Sequence, residues 1–400
     1  MILASLSRGH WPSLIGAWLH FEVSFMVWLL VGALGIAISE DFHLTPTQKG
    51  LLVAFPLLGG ALLRVVVGPM ADRYGPKQVG LGILWLEVAA LVMGWTVGTS
   101  YLHMLAIGLL LGFAGASFAI ALPIASHAYP PKHQGLAMGI AAIGNSGVLL
   151  ATFFAPRMAE IWGWRGTFGI MIIPVFFTMA VFYWVIPNWR NGGKIGHENN
   201  MLGVFWKNIH QPYLYGLCVF YAITFGGFVG FCSFLPIFFH DQYGVDIIAA
   251  GTLTAVCGLA GSFARPIGGY LADKFGGLNL LQGVFPMVVV LCFLQFWLLA
   301  LSWTVPLMIL TVLLLGFGNG VVFQIVSLKF HGMMGTASGI IGAAGGLGGF
   351  LLPFWFGVLK DVTGSYANGF ILFGLGAGVG FIGTLRMKRY LSDFFKPVTK

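Results

Sequence analysis

Long apolar blocks separated by short polar breaks run through the whole chain. About 20 consecutive apolar residues carry a helix across the hydrocarbon of a bilayer. Twelve blocks meet that length, at residues 13–38, 50–71, 77–97, 102–127, 134–156, 165–186, 212–239, 248–271, 279–301, 306–328, 335–358 and 366–385. The pattern predicts an all-α membrane protein with 12 transmembrane helices. Polar residues mark the break near 99–101, and polar residues with Pro306 mark the one near 302–305. The first block is too long for a signal peptide and has no small-residue cleavage site behind a short apolar core, so it is expected to be retained.

The longest polar segment, residues 187–211 with NGGKIGHENN at 191–200, divides the blocks into two sets of six. The halves are similar in sequence. A shift of 201 lays Gly60, Arg64, Gly68, Asp72, Arg73 and Gly75 on Gly261, Arg265, Gly269, Asp273, Lys274 and Gly276. A shift of 200 lays Gly135 and Gly139 on Gly335 and Gly339, and a shift of 204 lays LGF at 111–113 on LGF at 315–317. The expected organisation is therefore a six-helix bundle over 1–186, a cytoplasmic linker over 187–211 and a second bundle over 212–400. Six crossings per half make the copies parallel, one of the plans used by secondary transporters.

Composition sharpens the reading. Only 8% of the 400 residues are charged and 58% are hydrophobic, against about 25% charged in soluble domains. The net charge of +8 is a topology signal rather than a nucleic-acid footprint. With both termini cytoplasmic, fourteen lysines and arginines fall inside and four, Lys49, Arg157, Arg165 and Lys360, fall outside. That satisfies the positive-inside rule and, with no targeting signal, predicts a multi-pass protein of a bacterial or archaeal inner membrane. The chain is expected to act as a monomer in the lipid bilayer. Cys218, Cys232, Cys257 and Cys292 all lie within apolar blocks, with neither zinc nor disulfide spacing, and read as small buried hydrophobes. No nucleophile motif or phosphate loop is present, so the chain is not expected to be an enzyme, nor to hold a cofactor or metal.

Four charges stand inside the blocks away from their ends: Arg64, Arg265, Glu22 and Glu87. An arginine near the centre of a membrane helix costs about 2.5–3.5 kcal/mol on insertion scales. Arg64 lies eight residues before Asp72, about 12 Å of helix, too far for comfortable snorkelling. Its twin at Arg265 leaves two readings, an anion site shared by the halves or a structural ion pair. Glycines form a second pattern. Gly335, Gly339, Gly342, Gly346 and Gly349 step by four, three, four and three, and Gly135, Gly139, Ala142 and Ser146 repeat the spacing. Such a face permits close helix approach, either as static packing or as a sliding contact.

GPMADRYGPK at 68–77 and its echo GGYLADKFGG at 268–277 resemble the signature loop of major facilitator superfamily transporters. The stretches 115–147, 318–330 and 338–353, with the paired arginines, resemble the nitrate/nitrite porter family within it. The resemblance covers nearly the whole chain and implies alternating-access transport of nitrate or nitrite. It makes Asp72, Arg73, Asp273 and Lys274 parts of the conformational loops, and makes the glycine stretches the lining of the pathway. Guanidinium groups fit the role because they are planar, permanently charged and forked. From the same resemblance, Tyr221 and Phe225 hydrogen-bond and sandwich the anion, and Phe118 forms the opposing wall. Asn145, within the first glycine stretch, can donate an amide hydrogen bond to the substrate. Glu22, with His20 two residues before it, resembles the first-helix acid of the proton-coupled branch. Proton symport is thus the expected coupling, with nitrate/nitrite antiport as the alternative and another anion-transporting facilitator or a non-transporting nitrate sensor as the more distant one. Glu87 reads as structural, Gln324 as lining the pathway or bridging helices, and His103 and His127 as interfacial.

Overall fold

The computed structural model describes residues 9–130, 134–188, 212–330 and 334–394. Nearly all of the segment read as the linker lies outside the described residues. Asp72, Gly135 and Gly335 belong to helices, but their surroundings are likewise outside what is described. Among the described residues every regular element is helical.

Ten of the helices are long and apolar enough to cross a membrane, and they amount to twelve crossings for two local reasons. The span over Ala137–Val185 is two crossings, turned back at Gly163, whose φ of 71° and ψ of 162° break the helix. The first crossing is divided by non-helical residues at Leu29 and Leu34 into Trp11–Trp28, Leu30–Ala33 and Gly35–Asp41. These three pieces are α1. The others are α2 (Pro46–Tyr74), α3 (Pro76–Thr96), α4 (Tyr101–Gly115 and Phe118–His127), α5 and α6 (Gln134–Ala142, the 3-10 turn Ile143–Ser146 and Gly147–Val185, divided at Gly163), α7 (Pro212–Tyr243), α8 (Ile247–Phe275), α9 (Gly277–Phe296), α10 (Leu301–Lys329), α11 (Met334–Thr363) and α12 (Ala367–Phe394). The break before α10 falls at 297–300 rather than 302–305, so Pro306 lies inside the helix.

The repeat is structural as well as sequential. Helices α2 and α8 are each 29 residues long and each opens on a side-chain cap. Thr45 and Gln48 form a capping box at α2, and Asp246 accepts from the Ala249 amide at α8. Each ends at a glycine of positive φ, Gly75 at 90° and Gly276 at 82°. Arg64 and Arg265 are both the nineteenth residue of their helix. The halves nonetheless differ in continuity. Helices α1, α4 and α5 are interrupted near Leu29, Ala116 and Ile143–Ser146, whereas α7, α10 and α11 run unbroken.

Glycines set the closest approaches. In the first half a Cβ on Gly112 would fall on the Gly59 backbone; in the second, a Cβ on Gly316 would fall on that of Gly261. Between the halves, α2 packs along α11, with Gly346 against Ala61 and Gly357 against Pro46. Helix α5 packs on α8, with Gly251 against Thr152 and Gly258 against Val148.

Polar links between the halves gather at the end that carries the turns before α2 and before α8. Lys49 Nζ pairs with Asp241 at 2.8 Å, and the Tyr366 hydroxyl donates to the same carboxylate at 3.0 Å. His240 faces Glu40 at 3.4 Å. The Thr47 amide donates to Asp361 at 2.8 Å, with its hydroxyl on the same oxygen, and Arg157 donates to Thr252 at 3.0 Å. These links close that end. A partly buried ion pair of this kind is worth about 1 kcal/mol, so Asp241→Asn is expected to raise the open-to-closed ratio there about fivefold. Spin-label distances measured across this end check it; an unchanged distribution rejects the latch.

Candidate substrate site

Helices α2 and α8 bring the two arginines toward one central volume, both almost fully buried, close enough for their charges to repel. Their surroundings differ. Arg64 Nε donates to the Gly115 carbonyl at 2.8 Å, and Nη1 donates to the Gly342 carbonyl at 2.9 Å. The second bond crosses from α2 to α11 and so joins the halves. Arg64 also lies 5.0 Å from the Trp28 ring centroid and 4.8 Å from that of Phe225. Carbonyl dipoles and ring faces thus answer part of its charge. Arg265 instead sits over Phe118 at 5.3 Å and Phe323 at 5.7 Å, beside the Tyr221 hydroxyl. Its Nη1 has no protein partner.

The aromatic frame spans both halves. Tyr221 and Phe225, one turn apart on α7, stack at 4.8 Å and 4°. Tyr221 meets Phe323 edge-on at 4.9 Å, and Phe323 meets Phe118 at 5.1 Å. Trp28 stacks toward Phe225 at 6.3 Å, held by its indole donating to the Pro56 carbonyl at 2.7 Å. Five residues singled out in the sequence, Arg64, Arg265, Tyr221, Phe225 and Phe118, therefore belong to one cluster. Asn145 is buried in the 3-10 turn of α5, between α1 and α8, with both amide atoms unpaired. Trp28, Phe323 and the carbonyls of Gly115 and Gly342 are parts of the cluster that sequence reasoning missed. Phe323 stands next to Gln324, but nothing in the sequence marks Trp28 or a main-chain oxygen.

Glu22 accepts a hydrogen bond from the Ser146 hydroxyl at 2.7 Å, linking α1 to α5. His20 points elsewhere: it bonds the Gly80 carbonyl of α3 at 3.1 Å and lies against Phe182 of α6. Two residues of helix put the two side chains on opposite faces. Glu87 is fully buried with Ser24 as its polar neighbour. The α11 glycines divide between two faces. Gly342 and Gly346 meet Arg64 and Ala61 of α2, Gly349 lies between Val229 of α7 and Leu57 of α2, and Gly339 lies near the Arg64 carbonyl. Gly345 and Gly348 face Tyr221 and Ala222 of α7. Gly139 borders open space. At the loops, Asp273 accepts from Gln324 at 3.0 Å, so Gln324 bridges α8 and α10. Arg73 and Lys274 lie over Tyr74 and Tyr270.

Residues 17–353 match the family model of the Major Facilitator Superfamily. The chain belongs to that superfamily. Within it, its relatives are the nitrate/nitrite porters. It is 33% identical to the nitrite extrusion protein of Bacillus subtilis, over 88% of each chain. It is 32% identical to the probable nitrate/nitrite transporter NarK2 of Mycobacterium tuberculosis strain H37Rv, over 91% of this chain and 93% of that one. The probable nitrate/nitrite antiporter NarK1 of Thermus thermophilus is 28% identical over 91% and 88%. Among solved structures, the xylose transporter XylE from E. coli superposes with a TM-score of 0.74 at 16% identity, covering 97% and 98%. A bacterial homologue of the human lysosomal transporter Spinster gives 0.73 at 17%, covering 96% and 98%. This facilitator has the superfamily fold of twelve helices, and its relatives make it a transporter rather than an enzyme.

Proposed function

We propose that this facilitator carries nitrate, and nitrite with it, through alternating access of two six-helix halves, residues 1–186 and 212–400, about the central cluster. The observation that carries the reading is the pair of buried arginines at equivalent positions of the repeat, one of them with an unpaired guanidinium nitrogen, inside an aromatic frame. Two like charges in a dry site repel and lack solvation. A small planar anion answers both at once, and its arrival draws the halves together. The names of the relatives agree with this chemistry. Arg64, Arg265, Tyr221, Phe225, Phe118 and Asn145 bind the anion. The stripes Gly135, Gly139, Ser146, Gly335, Gly339, Gly342, Gly346 and Gly349 let the helices move. The chain works as a monomer in the inner membrane with both termini cytoplasmic.

Glu22 supplies the coupling. Its carboxyl is buried beside Ser146 in the 3-10 turn that also carries Asn145, so a proton gained or lost there bears on the same turn as the substrate amide. The transported species is then nitrate with protons. Nitrate/nitrite exchange is the second reading, favoured by the antiporter name of the Thermus relative.

Proteoliposomes test both. With nitrate outside and no nitrite inside, the wild type should take up nitrate and protons together, and a pH gradient should drive accumulation. Glu22→Gln should abolish that accumulation while leaving nitrate/nitrate counterflow within about threefold, because the anion's own ligands stay in place and each 1.4 kcal/mol of binding they supply is worth about tenfold. Uptake that strictly requires internal nitrite rejects the symport reading. Absence of counterflow with either anion rejects the substrate.

A further inference from the structure

One polar side chain in the central volume has no role in the transport scheme above. Asn319 on α10 is fully buried, and neither its amide nitrogen nor its amide oxygen has a partner in the protein. A buried amide left unpaired is destabilising, and native proteins rarely keep one without something to answer it.

Its direction follows from its neighbours. Gly316 and Gly320 pack on α8 at Gly261 and Arg265, and Gly318 packs on Thr224 of α7. Position 319 lies between these faces and shares its own with Phe323, one turn on. Phe323 is the ring that meets Tyr221 and Phe118 and lies under Arg265. Asn319 is thus turned with Phe323 toward the central cluster.

The repeat shows what is unusual about it. A shift of 204 lays Gly115 on Asn319, and the Gly115 carbonyl is already taken by Arg64. A shift of 200 lays Asn145 on Gly345, which packs against the Tyr221 and Phe225 rings. Each half therefore contributes one amide, at non-equivalent positions, where the other half has glycine. Both amides are unpaired, and so is Arg265 Nη1, which makes three unanswered nitrogen donors on the helices that meet at the centre; the buried hydroxyls of Ser117 and Ser262 are also unpaired.

We propose that Asn319 binds the third oxygen of nitrate and thereby sets the preference for nitrate over nitrite, an inference that rests on the function proposed above. Both anions carry one negative charge, so the arginines do not separate them by charge. Nitrate presents three oxygens at the corners of a plane; nitrite presents two oxygens and a nitrogen lone pair. A donor placed for nitrate's third oxygen stands one N–O bond too far from nitrite's nitrogen lone pair, so it is poorly answered when nitrite is bound, and polar groups stranded in this way are what make such sites selective.

The test is Asn319→Leu, which keeps the branched skeleton and removes the amide. Nitrate and nitrite affinities are measured by titration calorimetry on the purified full chain, with anion-free thermal unfolding alongside. The expected result is a nitrate Kd raised about tenfold or more and a nitrite Kd within about threefold of wild type, with thermal unfolding as the fold control. Equal weakening of both anions or unchanged nitrate affinity overturns the proposal, and the smaller Asn319→Ala, judged by the same ratio of nitrate to nitrite affinity, decides the case in which leucine disturbs the fold. The wild-type titrations separate the two levels. A wild type that binds neither anion defeats the nitrate reading itself, whereas one that binds both while the variants lose no selectivity defeats only Asn319.

Discussion

On the proposed function, Arg265→Lys is expected to lower nitrate affinity by about a hundredfold or more, and Arg64→Lys to lower it less while loosening the closed protein. Lysine keeps the charge and loses the planar fork, so the comparison isolates geometry from electrostatics. Arg265 has a free nitrogen aimed among Tyr221, Phe118 and Phe323. A compact ammonium does not reproduce two parallel donors, and breaking a buried charged contact costs about 2–5 kcal/mol; a hundredfold is about 2.7 kcal/mol. Arg64 commits Nε and Nη1 to two carbonyls, so its replacement removes protein contacts first and anion contacts second. Calorimetric nitrate titration of both variants, with thermal unfolding as a fold control, checks the order. Equal affinity losses, or a lysine at 265 that binds like wild type, would reject the division of labour.

Opposite signs are expected from one substitution made at two glycines. Gly316→Ala destabilises by about 2–3 kcal/mol, near the upper end for overpacking, because the new methyl would fall on Gly261 backbone atoms that cannot turn aside. Gly376→Ala on α12 meets nothing within 4 Å. There, alanine's better helix propensity stabilises by up to about 1 kcal/mol. Thermal unfolding in one detergent measures both. A tolerated Gly316→Ala would mean that α8 and α10 can part at this point, contrary to their close backbone approach.

How far the sequence reaches is best seen residue by residue. Hydropathy marked all twelve crossings because a bilayer demands length and apolarity of each one. The turn-back at Gly163 fell in the expected gap between blocks. The interruptions at Leu29 and Leu34 did not show, because leucine is a good helix former and the breaks come from packing rather than propensity. Arg64 and Arg265 stood out because charge is scarce in an apolar block. Trp28 and Phe323 did not, since 36 phenylalanines and 13 tryptophans make any one ring unremarked until its neighbours are known. The same holds for the opposite orientations of His20 and Glu22: period 3.6 separates the two faces, but only the packing of α3, α5 and α6 says what each face meets. The superfamily fold was legible from the two loop motifs; the unequal environments of the two arginines were not, because the repeat makes them look alike.

The bond from Arg64 to the Gly342 carbonyl has a genetic corollary. Its acceptor belongs to the main chain, so every amino acid at 342 still supplies it. Side-chain pairs can be broken by removing either partner's group, but this acceptor cannot be removed; from position 342 the clasp is disturbed only by crowding, since a Cβ there would stand 3.3 Å from Arg64 Cδ. Selection at 342 and 346 therefore acts on the room these glycines leave, beside Arg64 and Ala61, rather than on any group they offer.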